Sequence, residues 1–395
     1  MKIMAHKFFN RRALRRIRQS KPVETAIFLI CFFGFFVGLS VAMSLPNMLN
    51  TFMQTAYRLL LDTVFYIMAI TVMTGAISKL FVEFGVVGLI EKLLRPLMRP
   101  LYNLPGVASL GAVMTFLSDN PAIITLSKDK AFSRYFKKYQ MASLTNFGTS
   151  FGMGLVVLAY MVGLGYGSGA LVGLVGAVVG SIVSTRLMQR FTLKAFPEFA
   201  EDVWAQAAAG EAEPEQETVN DKRENTFLRV LNSILDGGKS GVEIGLTIIP
   251  GVLVISTVVM MLTFGAGQGG SYTGAAFEGV PVIPWLAGKV NFIFEWLFGF
   301  NYPELISFPI TTLGAVGAAL GLVPTFNAAH LIDNNAIAVF TAMGMCWSGY
   351  LSTHAAMLDS LGYRPLISKA ILAHTIGGLF AGISAHWLFV LVSLF

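Results

Sequence analysis

An all-α polytopic membrane protein built from two inverted structural repeats is the fold class this sequence predicts, on three observations. Hydrophobic residues fill 55% of the 395 positions and charged residues 13%, and mean hydropathy is +0.67. Apolar runs of about 20 residues, long enough to span a bilayer core, recur along the chain. Two of those runs are broken by one polar phrase, Asp119-Asn120-Pro121-Ala122-Ile123 and Asp333-Asn334-Asn335-Ala336-Ile337. Ionisable residues at membrane depth are costly and mark function. Matched interruptions in the two halves of a chain point to a solute site between inverted repeats. Each repeat is expected to hold a crossing helix, an interfacial helix, a re-entrant hairpin and a broken helix.

Residues 1–22 are a basic arm without an acid, expected in the cytoplasm, and 23–54 hold a first transmembrane scaffold helix, too long for the apolar core of a signal peptide. The first repeat covers 55–195. Within it Glu91–Pro100 is basic and amphipathic, suited to the inner interface. The arm from Pro105 to Leu126 lies between basic clusters, so a crossing there would put one cluster outside, and a hairpin with its tip at Asp119 keeps both inside. Met141–Tyr166 and Ser168–Val183 then cross. Residues 196–228 are an acidic cytoplasmic linker. The second repeat, 229–395, starts from the face opposite to the one where the first begins. In it Gly241–Phe264 crosses, Pro281–Phe300 is interfacial on the outer side, a second hairpin has its tip at Asp333-Asn334-Asn335, and Lys369–Phe395 crosses inward. This places a multi-pass protein in a bacterial inner membrane with both termini cytoplasmic.

The net charge of +6 sits beside membrane segments, where it sets topology, so nucleic acid is not an expected partner. Cys31 and Cys346 lie in apolar runs without metal-ligand spacing, and no enzyme constellation is present: Gly237-Gly238-Lys239-Ser240 lacks the first glycine and the strand of a phosphate-binding loop. No cofactor or resident metal is expected beyond H⁺ or Na⁺ as a coupling ion.

Four short matches in the same order suggest internal duplication. Asn103-Leu104-Pro105 pairs with Asn301-Tyr302-Pro303, Ser109–Val113 with Thr312–Val316, Asp119–Ile123 with Asp333–Ile337, and Ala142-X-Leu144-X-Asn146 with Ala370-X-Leu372-X-His374. Leu93-Leu94-Arg95-Pro96-Leu97 and Leu104-Pro105-Gly106, followed by the apolar arm to Asp119, resemble the Gate, or nucleoside-recognition, domain of bacterial membrane proteins. The second half, from Asp236 through Gly241 to Pro250, resembles another copy. The order of elements is similar to the transport core of concentrative nucleoside transporters. That resemblance implies a small-molecule substrate and a coupling cation held between hairpin tips and broken helices, in a homo-oligomer, dimer or trimer, in contact with membrane lipid. The tips here read Ser118-Asp119-Asn120-Pro121 and Asp333-Asn334-Asn335 in place of that family's Gln/Ser-Thr/Ser-Glu signature, and the last crossing helix of the second repeat has no counterpart in this reading.

The candidate site residues follow. Ser118, Asp119, Asn120, Asp333, Asn334 and Asn335 are the tips, where a carboxylate can ligate Na⁺ or take a proton; Asp or Asn before a helix is equally an N-cap. Thr145, Asn146 and Thr149, with His374 and Thr375, are assigned to broken helices that glycines allow to unwind, the plain alternative being small-residue packing. Thr353 and His354 are assigned to the second hairpin's return arm and Asn327 lies before its tip. The expected function is a secondary transporter of a small polar or anionic solute, nucleoside-like, amino-acid-like or an organic acid, working by alternating access. A membrane scaffold or a flippase for a lipid-linked or cell-wall-derived substrate is the alternative.

Overall fold

The computed structural model describes residues 21–201, 225–267 and 269–394. The basic arm and the middle of the acidic linker lie outside them. The described residues are helical and carry no β-strand, and six helices are long and apolar enough to cross a membrane. The chain divides into two compact units, Met1–Thr55 with Met260–Pro281, and Ala56–Val259 with Val282–Phe395.

In the first unit, α1 (Lys21–Met43) is apolar on nearly every side. Phe28, Ile30 and Val41 remain exposed, as a lipid-facing helix requires. Leu39 and Met43 pack with Met48, from the start of α2 (Leu45–Arg58), and with Met261. The loop that closes this unit is tied by Asn47 Nδ2 donating to Tyr272 O (2.9 Å) and by Phe277 N donating to Thr55 Oγ1 (2.9 Å). Buried Glu278 accepts from Thr273 N and Gly274 N, each at 2.9 Å, and from Thr273 Oγ1 at 2.7 Å. Burial alone would raise its pKa, but these hydrogen bonds outweigh burial and hold the carboxyl below the usual glutamate value.

In the second unit a π turn, Leu59–Val64, leads into α3 (Phe65–Glu83), which lies antiparallel to α10 (Thr226–Pro250). Small residues set their closeness. A Cβ on Gly75, Gly237 or Gly241 would strike the partner's backbone, and Thr71 Oγ1 donates to Gly241 O at 2.7 Å. Lipid offers no hydrophobic drive between helices, so backbone contact through small residues is how such pairs hold. Past Pro250 a second π turn, Gly251–Ser256, continues into α11 (Thr257–Thr263).

The interfacial helix α4 (Val86–Leu97) and the π turn Met98–Tyr102 lead to α5 (Ala108–Leu117) and α6 (Pro121–Lys128), two short helices joined at Ser118–Asn120. Ten residues rise about 15 Å, half a membrane. The ends of this hairpin come back together: Asn103 Nδ2 donates to Tyr139 OH, and Gln140 Nε2 to Asn103 O. Next, α7 (Lys138–Thr149) breaks at Ser150–Met153 and continues as α8 (Gly154–Gly163), and α9 (Gly167–Ala195) returns.

Beyond α12 (Val282–Gly288) and α13 (Asn291–Phe298), the second hairpin is made of α14 (Ser307–Thr312), α15 (Val316–Leu320) and α16 (Val323–Ala328). It turns at Leu313-Gly314-Ala315. Its ends meet where Asn335 Nδ2 donates to Phe298 O and Gly299 O. Then α17 (Asn334–Cys346) breaks at Trp347–Leu351 and resumes as α18 (Ser352–Ser360), and α19 (Ile367–Val392) is unbroken.

Four expectations are corrected here. Asp333 is not a hairpin tip: it is exposed and caps α17, accepting from Ala336 N at 2.7 Å. The broken helix of the second half is α17–α18, so Thr353 and His354 begin its second piece instead of returning from a hairpin. His374 and Thr375 lie in continuous α19, and Gly377 and Gly378 are contact points, the first against α9 and the second against Trp347. Consequently α17–α18 is a further broken helix running between the two faces of this unit, and α19 is the helix that had no counterpart in the sequence. It runs from the face of Phe196 and Tyr363 to the face of Asn335 and Gly299, so the last described residues lie opposite the acidic linker, against the expectation that both are cytoplasmic.

Candidate functional site

Three chain breaks converge in the second unit. The tip of the first hairpin presents Asn120, whose Nδ2 donates to Ser348 Oγ at 3.2 Å and to Asp119 Oδ1 at 3.0 Å. Ser348 lies in the α17–α18 break, and its hydroxyl donates to Thr149 O at the end of α7 (3.1 Å). Gly152, in the α7–α8 break, leaves room for both side chains, because a Cβ there would overlap Asn120 Oδ1 and Ser348 Oγ. Met153 takes a left-handed conformation with φ 54° to complete that break. Pro121 at the first position of α6 explains the tip: it lacks an N–H, suits a helix start and cannot continue α5.

Asp119 is partly exposed on the other side of the tip. With Ser118, Pro121, Ala122, Thr125 and Met153 it walls a cleft of about 380 Å³, closed across by Ser240, Glu243, Ile244, Thr247 and Ile248 of α10. The cleft thus has two carboxylates and no basic side chain among its described lining residues.

Behind the breaks lies a buried polar chain. Asn146 Nδ2 donates to Ser184 Oγ (3.0 Å) and Ala370 O (2.9 Å), Ser184 Oγ meets His374 Nδ1 at 2.9 Å, and the His374 ring lies 4.5 Å, centroid to centroid, from that of His354. His354 Nδ1 is bonded to Tyr350 O at 2.7 Å, Tyr350 OH meets Thr375 Oγ1, and Trp347 Nε1 donates to His374 O. Asn120 Oδ1, Thr145 Oγ1, Asn146 Oδ1 and the Nε2 atoms of both histidines have no hydrogen-bond partner among the described residues. Unpaired buried polar atoms are uncommon, and these five lie around the three breaks and the chain behind them.

The structure therefore brings Ser118, Asp119, Asn120, Thr145, Asn146, Thr149, Thr353, His354, His374 and Thr375 into one neighbourhood. It separates Asn327, Asp333, Asn334 and Asn335, which fasten the far face: Tyr166 OH donates to Asn327 Oδ1, Ser168 Oγ to Asn334 Oδ1, and Asn335 Oδ1 meets His386 Nδ1. Sequence reasoning missed Trp347, Ser348, Gly349 and Ser184. The phrase Trp347-Ser348-Gly349 directly after an apolar stretch ending at Cys346 was the available signal for the second broken helix. No group of three or more His, Cys, Asp or Glu is clustered for a metal among the described residues.

Residues 64–165, from α3 through the first hairpin to α8, match the Gate family, described as nucleoside recognition. This Gate region holds Asp119 and two of the three breaks. An uncharacterized protein of Alkalihalophilus pseudofirmus is 34% identical over 94 residues, 23% of this chain and 20% of that protein. The chain therefore spans about a fifth of the length of the curated relative it matches. Among solved structures, a doubly substituted CNTnw in an outward-facing state is similar over 82% of this chain and 74% of its own, with TM-score 0.50 and 15% identity. CNTnw in an intermediate state is similar over 81% and 75%, with TM-score 0.49 and 14% identity. At this identity the outward-facing likeness is one of fold, and it covers more of the chain than the Gate match does.

Proposed function

We propose that this protein is a secondary transporter of the bacterial inner membrane, moving a small polar solute by alternating access, with Asp119 as the coupling carboxylate. The observation that carries the reading is a hairpin-tip carboxylate bordering a cleft where two broken helices meet. The face holding Arg99, Lys128, Lys137, Lys194 and Arg364 is cytoplasmic on this reading, as the positive-inside bias requires. The first hairpin is fastened near its tip by Asn120 donating to Ser348 and by Ser78 Oγ donating to Leu117 O at 2.8 Å, and it also packs through apolar and small side chains such as Ile123 against Gly111 and Gly148. Moving an ionised carboxylate through such surroundings is costly, so Asp119 would move neutralised, by a proton or by Na⁺ shared with nearby carbonyls. With Glu243 opposite and no basic group in the lining, the cleft suits a neutral or cationic solute better than an anion. The cleft also argues for transport over a purely structural scaffold, in which the tip would be packed dry.

The test begins with a thermal-shift screen of purified protein against nucleosides, amino acids and organic acids, since a ligand of the native state raises its apparent stability. The stabilising solute is then followed into proteoliposomes under H⁺ and Na⁺ gradients. Gradient-driven uptake that Asp119→Asn reduces by about tenfold or more supports the reading. Uptake by Asp119→Asn equal to wild type under both gradients would remove Asp119 from the coupling role.

A further inference from the structure

A cleft larger than the one beside Asp119 lies elsewhere in the second unit. It lies on the basic face, about 760 Å³ in volume, between the interfacial helix and the start of α7, and its walls include Arg95, Arg99, Asn103, Tyr135, Lys137 and Gln140. Among its described lining residues three are cations and none is a carboxylate. Arg95 is the one whose charge is answered, by the buried Glu91 at 2.8 Å. Lys137 Nζ donates to a neutral carbonyl, Ala200 O, at 2.8 Å, which leaves its charge in place. The hydroxyls of Tyr135 and Tyr139, which accept from Arg134 and Asn103, each keep an O–H that can donate to a phosphate oxygen beside the cations.

The interfacial helix says where this cleft lies relative to lipid. Leu89, Leu93, Leu97 and Leu101 recur at intervals of four and are 66%, 74%, 44% and 36% exposed, while Val87, Glu91, Met98 and Tyr102 face the protein. An exposed leucine stripe on an amphipathic helix buries itself at the boundary between headgroups and acyl chains. Arg95 and Arg99 lie on the side of the helix turned away from that stripe, next to the face that carries Glu91, so with the leucines toward the acyl chains their guanidinium groups stand on the headgroup side.

We infer that this cleft is a binding site for an anionic phospholipid, its phosphate held by Arg99 and Lys137 with Arg95 in support and its chains passing beside the helix into the apolar layer whose depth the leucines mark. The inference is independent of the transport reading, since the cleft shares no lining residue with the one beside Asp119.

The experiment uses full-length protein in a neutral detergent, with phosphatidylglycerol, phosphatidylcholine and inorganic phosphate as three separate probes. Binding is read by native mass spectrometry and by thermal shift. Wild type is expected to retain phosphatidylglycerol in preference to phosphatidylcholine. Arg99→Gln and Lys137→Gln are each expected to lower that retention by about fivefold, the weight of one cation near an anionic surface, and the pair by more. Lys92→Gln, a charge on the same helix outside the cleft, should leave retention at the wild-type level. Equal loss in all three variants means diffuse surface charge and overturns the site. A shift produced by inorganic phosphate at concentrations where the lipid has no effect overturns the lipid assignment in favour of a soluble anion. Undiminished phosphatidylglycerol binding by the double variant overturns both. Elution volume and helical content of each variant, matched to wild type, keep misfolding from passing as lost binding.

Discussion

Asp119-Asn120 and Asp333-Asn334 are the same two residues in the same order, each followed two positions later by Ala and Ile, and the protein uses them in unlike ways. The first pair terminates a half-membrane helix and hangs a carboxylate beside a cleft. The second sits at the start of α17, where Asp333 caps the backbone, Asn334 receives Ser168 and the neighbouring Asn335 ties the end of α13 to α19. What separates them is the residue that follows. Pro121 forces a new helix to begin against the end of α5, whereas Asn335 has an N–H and simply continues α17. A polar phrase inside an apolar run can therefore mark either the interior end of a hairpin or the start of a broken helix.

That contrast can be broken by substitution. The largest effect is expected from Asp119→Asn, with uptake reduced about tenfold or more while Asp333→Asn, which keeps a capping side chain, stays within about twofold of wild type; parallel proteoliposome assays compare them. Next, Gly152→Ala should lower uptake several-fold by crowding Asn120 and Ser348. Gly167→Ala, whose added carbon meets nothing within 4 Å, should leave it unchanged. Asn335→Ala is expected to act on stability, by about 1–3 kcal/mol in denaturant titrations, because buried carbonyls of Phe298 and Gly299 lose their donor. Asp333→Ala should cost about 1 kcal/mol as a lost cap. If Asn335→Ala instead abolished uptake at unchanged stability, the division between the two phrases would fail.

The smallest effect belongs to the other unit. Glu278 is held below its ordinary pKa, so its contribution is complete above the unfolded value of about 4.3 and is lost as pH falls through the lower folded value. Hydrogen exchange at Thr273 and Gly274 should rise over that acidic window in wild type, beyond the change seen in Glu278→Gln.

The sequence made the class of fold and the first hairpin legible, because length, charge and proline act locally: ten residues cannot span a membrane, and basic clusters at both ends of the Pro105–Leu126 arm keep its entry and exit on one side. The second hairpin escaped because its turn, Leu313-Gly314-Ala315, is apolar and leaves no charge to read. Taking Asp333 as its tip then shifted everything after it, misassigning His354 and His374 and reversing the side on which the last helix ends. The convergence of Asn120, Ser348 and Gly152 joins residues more than 200 positions apart, and no local pattern carries that.

The backbone contact between α3 and α10 has a consequence for order as well as for packing. Helices in lipid are already formed when they meet, so backbone freedom has been lost beforehand, and glycine has no rotamers left to lose on docking. A seam of Gly75, Gly237 and Gly241 is therefore a junction with almost no entropic penalty for closing. It also allows little rotation about either axis, because carbonyls and α-carbons, unlike side chains, cannot swing aside. A stationary post of this kind is what a hairpin needs beside it if the hairpin itself is to move.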